Sequence, residues 1–182
     1  MPSQRDEVRL PIGTTLRPFT VHGDERGTLT EIFREEWLPE LRALQWNFVR
    51  SRAGVLRGVH VHPKHVDYLL VLDGAATIGL QDLRPGSPTE GLACIVELEA
   101  DRPASIVIPA GVAHGFYFDV PSLHVYAVSE YWDPADELGC RYDDPGLRIA
   151  WPAVPKLMSA RDEGLPTLES LRGRIPAYRG PC

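Results

Sequence analysis

Short apolar segments rich in Val, Ile, Leu and Tyr alternate with polar turn residues along most of this chain. The 16 glycines and 17 prolines are spread over the whole length and cut it into short pieces. Pieces of this kind predict strands rather than long helices. The pattern therefore predicts an all-β barrel or sandwich.

Two turns and one helical segment divide the predicted strands. The turn "GDERG" separates the first two strands, and Asp73-Gly74, a strong turn dipeptide, predicts a hairpin between the strands on either side of it. A short helical turn is expected over 35–43, interrupted by Pro39, and the tail from 159 to 180 predicts a short helix with an irregular end. Strands are predicted over 15–22, 28–34, 46–52, 55–62, 66–74, 76–84, 91–99, 104–111, 114–120 and 123–132.

Composition and charge limit the kinds of molecule that we expect this protein to bind. The chain has 182 residues, enough for one domain over 1–182, with a barrel core at about 15–152 and a tail over 153–182 that packs on it. The chain has no apolar run long enough for a membrane span, and its N-terminus lacks an apolar signal-peptide core. Its three cysteines are widely spaced. We therefore expect a cytoplasmic protein without a membrane partner. The net charge of −6, without a Lys/Arg cluster, argues against nucleic acid as a partner.

Three histidines lie within six positions of one predicted strand and the turn after it. His60 and His62 share one face of the strand because side chains alternate. With Asp67 and, further along, His114 in "IPAGVAHG", their spacing resembles the paired motifs of the cupin superfamily, whose corresponding side chains bind one divalent metal inside a β-barrel. Imidazole and carboxylate ligands suit Fe, Mn, Ni, Zn or Co.

A second resemblance covers more of the chain. In order, the segments "HGDERGTLTEIF", "RAGVLRGVH", "DLRPGSPTEG", "IPAGVAHGF", "DDPGLRIAWP" and "SARDEGLPTL" resemble the dTDP-4-dehydrorhamnose 3,5-epimerase family. The resemblance implies a cupin-type double-stranded β-helix (jelly-roll) barrel with short terminal helices. It also implies a homodimer that acts on a nucleotide-diphosphate sugar without a metal cofactor.

The resemblance assigns proton transfer to three side chains. His60, in "RGVH", stands at the position of the family's base, and Tyr126, in "HVYAVSEYW", at that of the acid on the opposite side of the sugar. Asp144, in "YDDPGL", is expected to orient His60, because a carboxylate partner raises the basicity of an imidazole.

Four further residues are implied in substrate binding. Arg57 and His114 match family residues near the substrate, and Trp132 stands where the family usually has a tyrosine. Arg26 matches an arginine that the partner subunit supplies to the nucleotide. Bidentate hydrogen bonds make arginine suitable for a diphosphate.

The departures from the family lie at two positions. Asp67 stands where the family has a lysine that neutralises the enolate oxygen, and His62 stands where it often has glutamine. We therefore expect, as an alternative to the metal-free reaction, one divalent metal held by His60, His62, Asp67 and His114, acting in place of the lysine. Ligation would occupy His60, so proton transfer would pass to Tyr126, His65 or a metal-bound water. The turn Pro63-Lys64 predicts that His65 is exposed to solvent.

Three functions follow from these residues. The leading one is an epimerase-like isomerase that takes a proton next to the ketone, at C3, C5 or both, of a nucleotide-linked 4-keto-6-deoxy sugar. The second is a metal-dependent cupin enzyme, an isomerase, lyase or dioxygenase, on a small keto or hydroxy substrate. The third is an inactive sugar-nucleotide binder, because the family lysine is missing.

Overall fold

The computed structural model describes residues 8–39 and 41–180, so the first seven and last two residues of the predicted domain lie outside it. Almost all regular structure in this part is strand, and the predicted all-β fold is confirmed. No helix among the described residues is long and apolar enough to cross a membrane. The strands are β1 (Thr15–Pro18), β2 (Val21–Asp24), β3 (Gly27–Thr30), β4 (Gln45–Ser51), β5 (Val55–Val61), β6 (Asp67–Asp73), β7 (Ala75–Asp82), β8 (Ala93–Glu99), β9 (Ala104–Ile108), β10 (Val112–Phe118), β11 (Ser122–Val128) and β12 (Leu138–Gly139).

Two five-stranded antiparallel sheets form the barrel. One has the order β1-β9-β6-β11-β4 and the other the order β12-β5-β10-β7-β8, while β2 and β3 form a separate hairpin around "GDERG". The interior between the sheets is filled by buried apolar side chains from both, including Leu69, Val71, Ile78, Leu80 and Phe118. Burying these faces is the main source of the fold's stability.

The predicted hairpin at Asp73-Gly74 is wrong. β6 pairs with β9 and β11, whereas β7 pairs with β8 and β10, so the two strands belong to different sheets. Gly74 adopts a φ of 77°, and a Cβ there would lie 2.4 Å from the Ser122 hydroxyl oxygen. That hydroxyl accepts a hydrogen bond from the Ala75 amide, which fixes a corner between the sheets instead of a two-residue turn.

Short helical segments lie outside the sheets. Three are 3-10 turns, at Glu35–Trp37, Pro134–Asp136 and Leu168–Leu171; the first falls in the predicted helical segment before Pro39. The tail contains α1 (Ala160–Glu163), whose N-cap Ser159 accepts a hydrogen bond from the Asp162 amide. Leu171 packs with Val59 and Val61 of β5 on the outer face of their sheet.

Alternation along β4 and β6 decides which side chains point inward. On β4, Gln45, Asn47 and Val49 are partly buried, while Trp46 and Phe48 between them are exposed. On β6, Leu69 and Val71 belong to the interior cluster, and Asp67 shares their face because strand side chains alternate. The same alternation therefore puts a carboxylate at one end of an apolar interior.

Gly79 on β7 allows the segment after residue 146 to pack closely. A Cβ there would lie 2.5 Å from both Ile149 Cγ2 and Trp151 Cη2. We expect Gly79→Ala to lower the free energy of unfolding by about 1–3 kcal/mol, because the core has no room for an added methyl group.

Urea denaturation of wild type and Gly79→Ala measures this loss of stability. Gly23→Ala on β2 is the matched control, because its Cβ would meet only ordinary contacts at 3.8 Å. Equal losses in the two variants would contradict the close packing at Gly79.

Candidate active site

A cavity of about 260 Å³ opens between the two sheets at the polar end of the barrel. Strands of both sheets line it, and residues 159–162 of the tail close one side. Most of the site residues predicted from the sequence are among its lining, and residues not predicted are there as well. The lining comprises Gln45, Asn47, Val49, Arg57, His60, His62, His65, Asp67, His114, Phe116, His124, Tyr126, Val128, Trp132, Glu137, Ser159, Arg161 and Asp162.

A bulge in β5 turns two of these side chains into the cavity. His60 is paired with His114, and Arg57 with Phe116, so three steps along β5 match only two along β10. Gly58 lies in the bulge with a φ of 119°, and a Cβ there would lie 2.9 Å from backbone atoms of β10. Without the extra residue, strand alternation would put Arg57 and His60 on opposite faces.

His60 is held by a carboxylate, but not by the predicted one. Its Nε2 lies 2.7 Å from Asp162 Oδ1, and the Gly58 amide donates to the other oxygen of that carboxylate. Burial raises the pKa of Asp162, but these hydrogen bonds outweigh burial, and its pKa lies below the ordinary value. An ionised Asp162 keeps the proton on His60 Nε2 and leaves the Nδ1 lone pair for a base.

The prediction that Asp144 orients His60 is wrong. Asp144 lines a separate cavity, where its carboxylate accepts hydrogen bonds from the amides of Gly146 and Leu168. Its short side chain caps this Pro-Gly turn locally and does not reach β5. The sequence did carry a signal for Asp162, since it lies in "SARDEGLPTL", one of the segments that resemble the family.

Tyr126 faces His60 across the cavity. It lies on β11, in the opposite sheet from His60, between Asn47 of β4 and Leu69 of β6. Burial raises the pKa of Tyr126, and the nearby carboxylates of Asp67 and Glu137 raise it further. The phenol therefore keeps its proton at neutral pH and can donate it.

The predicted binding residues divide into two groups. Arg57, His114 and Trp132 all line the cavity, and the Arg57 side chain donates to Ser51 Oγ. Among the described residues Arg57 forms no ion pair with a carboxylate, so its charge is available to an anion. Arg26 lies instead on the β2–β3 turn, with its side chain 85% exposed and bonded to Asp24, and does not line this cavity.

The predicted metal quartet is only partly assembled. His62, Asp67 and His114 bring ligand atoms within 4.8 Å of one another, but His60 lies outside this group because Asp162 holds it. His65 stacks on the His62 ring and groups with His62 and Asp136 instead. The prediction of an exposed His65 is wrong, because its side chain is only 5% exposed and its Nδ1 is bound to Asp136 at 2.8 Å.

The comparisons with known proteins agree with this geometry. Residues 11–170 match the family model described as dTDP-4-dehydrorhamnose 3,5-epimerase. This chain belongs to that family. The predicted assignment to the isomerases, as a carbohydrate epimerase, is thereby confirmed.

Individual relatives cover nearly the whole chain. A dTDP-4-dehydro-6-deoxyglucose 3-epimerase of Streptomyces bikiniensis is 35% identical over 172 residues, 87% of each chain. The structure of ChmJ, a 3'-monoepimerase from Streptomyces bikiniensis in complex with dTDP-quinovose, has a TM-score of 0.84 at 33% identity and covers 91% of this chain and 90% of its own. RmlC from Legionella pneumophila, in complex with dTDP-4-keto-L-rhamnose, has a TM-score of 0.83 at 33% identity, covering 92% and 94%. The predicted cupin-type barrel is confirmed by these likenesses.

His124 beside the site makes stability depend on pH. It is buried against Phe118, its Nδ1 has no hydrogen-bond partner, and burial lowers its pKa from 6.5 to about 4. As the pH falls below 6.5, the unfolded chain binds a proton here before the folded protein does. We expect this one group to remove about 2 kcal/mol of stability between pH 7 and pH 5.

Urea denaturation of wild type and His124→Gln at pH 7 and at pH 5 tests this pH dependence of stability. The loss on acidification should be about 2 kcal/mol smaller in the variant, whereas His22→Gln, on the exposed β2 hairpin, should match wild type. An identical pH profile in wild type and His124→Gln would contradict the account.

Proposed function

We propose that this protein epimerises a dTDP-linked 4-keto-6-deoxy sugar at C3, C5 or both, with His60 as base and Tyr126 as acid. The observation that carries the proposal is that these side chains reach one cavity from opposite sheets, with His60 bound to an ionised carboxylate. Membership of the epimerase family supports it. The substrate of the Streptomyces relative and the ligands bound in the two solved structures indicate the sugar and the nucleotide.

The reaction is a proton transfer in two halves. His60 takes the proton from the carbon beside the ketone, and the electrons of that C–H bond move into the carbonyl to give an enolate. Tyr126 then donates its proton to the opposite face of the same carbon, which inverts it, and exchange with solvent resets both side chains. Positioned acids and bases of this kind contribute typically 10²–10⁴-fold each.

The rest of the cavity suits the remainder of the substrate. The guanidinium of Arg57 is placed for a diphosphate oxygen, and the exposed Trp132 offers an aromatic face near the mouth. The family reaction needs no cofactor. We also propose a cytoplasmic location, which the absence of a cysteine framework in the sequence supports.

Deuterium incorporation in heavy water tests the base and its positioning residue. With dTDP-4-keto-6-deoxyglucose, wild type should place deuterium at C3, C5 or both. Asp162→Asn should slow incorporation by about 100-fold or more, because His60 loses its orientation and charge partner. The matched variant Asp144→Asn should exchange at a rate close to wild type.

Two results would contradict this assignment. Equal losses in Asp162→Asn and Asp144→Asn would show that the His60–Asp162 pair has no special role. Tight nucleotide-sugar binding by wild type without any deuterium uptake would favour the inactive binder.

Tyr126→Phe separates exchange from inversion. Without the acid on the far side, only His60 can return a proton, and it does so to the face it came from. We therefore expect continued deuterium uptake with retained configuration, while the yield of epimer, measured by NMR, falls by about 100-fold. Loss of exchange and inversion together would assign Tyr126 a different role.

We further propose a homodimer formed through the edge strand β4. β4 ends its sheet and presents Trp46 and Phe48 outward, with Phe48 71% exposed. Exposed apolar side chains on an unpaired edge favour association. The exposed β2–β3 turn would then carry Arg26 to the partner's cavity, which accounts for its distance from its own.

Light scattering on a sizing column tests the dimer. Wild type should run at twice the chain mass of 20.2 kDa, and Phe48→Asp should shift to the monomer mass. Val154→Asp, which places the same charge on an exposed residue of the tail, is the control and should stay dimeric. A monomeric wild type would contradict the proposal.

A further inference from the structure

Three hydrogen-bond acceptors converge at the buried end of the cavity. Asp67 Oδ2 lies 3.9 Å from His62 Nε2 and 3.7 Å from His114 Nε2. All three side chains are buried, and all three line the cavity. The separations are too long for hydrogen bonds, so these groups, here called the acceptor cluster, face one space without bonding one another.

The opposite nitrogen of each ring in the acceptor cluster is already engaged. His62 Nδ1 bonds the Asp136 carbonyl oxygen at 3.2 Å, and His114 Nδ1 bonds the Val112 carbonyl oxygen at 3.1 Å. A carbonyl oxygen can only accept, so the hydrogen sits on Nδ1 and the lone pair stays on Nε2. His65 stacks on the His62 ring, with centroids 3.8 Å apart, and holds that ring in place.

The protein supplies no cation to the acceptor cluster. No Lys or Arg side chain among the described residues forms an ion pair with Asp67, whose charged-group contacts are all histidines. Arg161, on the cavity wall, is paired with Glu137 instead. Because buried polar groups are normally hydrogen-bonded and buried charges are normally paired, we expect the missing donor to come from a ligand.

We propose that the acceptor cluster binds the ammonium group of an amino sugar, so that the substrate is a nucleotide-linked 4-keto-6-deoxy sugar with an amino group on C3. An ammonium group has three N–H donors, one for each acceptor, whereas a hydroxyl has only one. The three residues bring these atoms within 4.8 Å of one another. One nitrogen atom can therefore lie about 2.9 Å from all three.

The position of the cluster beside His60 selects the carbon that carries the amine. The ring centroids of His60 and His62 are 6.5 Å apart. A sugar whose reacting carbon lies at His60 can therefore reach the cluster with a nearby substituent. C5 of such a sugar already carries the ring oxygen and C6, which leaves C3 for an amine next to the ketone.

An amine at C3 accounts for the loss of the family lysine. Asp67 stands where the resembling family has a lysine that neutralises the enolate oxygen. An ammonium group on C3 lies next to that oxygen, so the substrate itself supplies the positive charge and Asp67 holds it there. Burial raises the pKa of Asp67, and a cation bound beside it offsets this effect. This inference names the substrate class of the proposed function and rests on it.

Two ligands that differ only at C3 test the inference without any reaction. dTDP-quinovose and dTDP-3-amino-3,6-dideoxyglucose have no ketone, so neither can be epimerised, and both are titrated into wild type by calorimetry at pH 7 with a chelator present. We expect the amino ligand to bind about tenfold more tightly or better, because its hydrogen bonds to Asp67 are charge-assisted.

The outcomes separate this inference from the proposed function. Equal affinities, or tighter binding of dTDP-quinovose, would overturn the amino-sugar inference and leave the epimerase assignment standing. Failure of both ligands to bind would overturn the assignment to dTDP-linked sugars as well.

Variants of two aspartates on β6 locate the preference. Asp67→Asn removes the charge at nearly constant size, so we expect its preference for the amino ligand to fall to about twofold or less, with little change for dTDP-quinovose. Asp73→Asn, which alters an exposed carboxylate on the same strand, is the matched control and should keep the wild-type preference. An undiminished preference in Asp67→Asn would overturn the site.

Asp67→Lys tests the exchange of roles. It puts the family's cation back where Asp67 stands, so we expect the variant to bind dTDP-quinovose more tightly than the amino ligand, because like charges repel. A retained preference for the amino ligand would contradict the inference. Cooperative thermal unfolding checks that each variant is folded, and Asp67→Asn decides alone if Asp67→Lys is not.

Discussion

The hydrogen bond between His60 and Asp162 is the contact on which the active site depends. It joins a barrel strand to a tail residue 102 positions later in the chain. A local structural feature positions each of the two residues. The bulge at Gly58 turns His60 inward, and the N-cap at Ser159 begins the helical turn that carries Asp162. In the proposed mechanism the tail is therefore part of the catalytic apparatus and not only a cover for the outer face of the sheet.

The cavity combines two different chemistries at its two sides. Near the tail, an imidazole paired with an ionised carboxylate faces a phenol that keeps its proton. Deeper in the barrel, burial lowers the pKa of His62 and His114 and raises the pKa of Asp67, so burial disfavours the charged forms of these groups. Strand alternation together with the bulge in β5 points the strand residues of both groups into the same space, and the tail adds Asp162.

Much of this could be predicted from the sequence, where the information was local. The turn residues and short apolar segments predicted the strands, and the spacing in "RGVHVH" predicted that His60 and His62 share a face. The resemblance to the family correctly placed Tyr126 and His114 in the cavity. Strand pairing was harder to predict from the sequence. Asp73-Gly74 has the residues typical of a hairpin turn, but the strands on either side of it pair within opposite sheets.

The errors at the site came from contacts between distant residues. Asp144 and Asp162 both lie in family-like segments, and only the folded tail decides which of them reaches His60. His65 follows a polar Pro-Lys turn that indicates exposure, but Asp136, 71 positions later, covers it. A local sequence pattern cannot predict a contact with a residue that lies far away in the chain.

The central claim is that His60 and Tyr126 stand on opposite sides of one sugar carbon. A crystal structure of this protein with dTDP-quinovose tests it most directly. We predict a hexose lying between the two side chains, with the imidazole and the phenol about 3.5 Å from opposite faces of C3 or C5. A sugar bound outside the cavity, or with both side chains on the same face of its ring, would contradict the account.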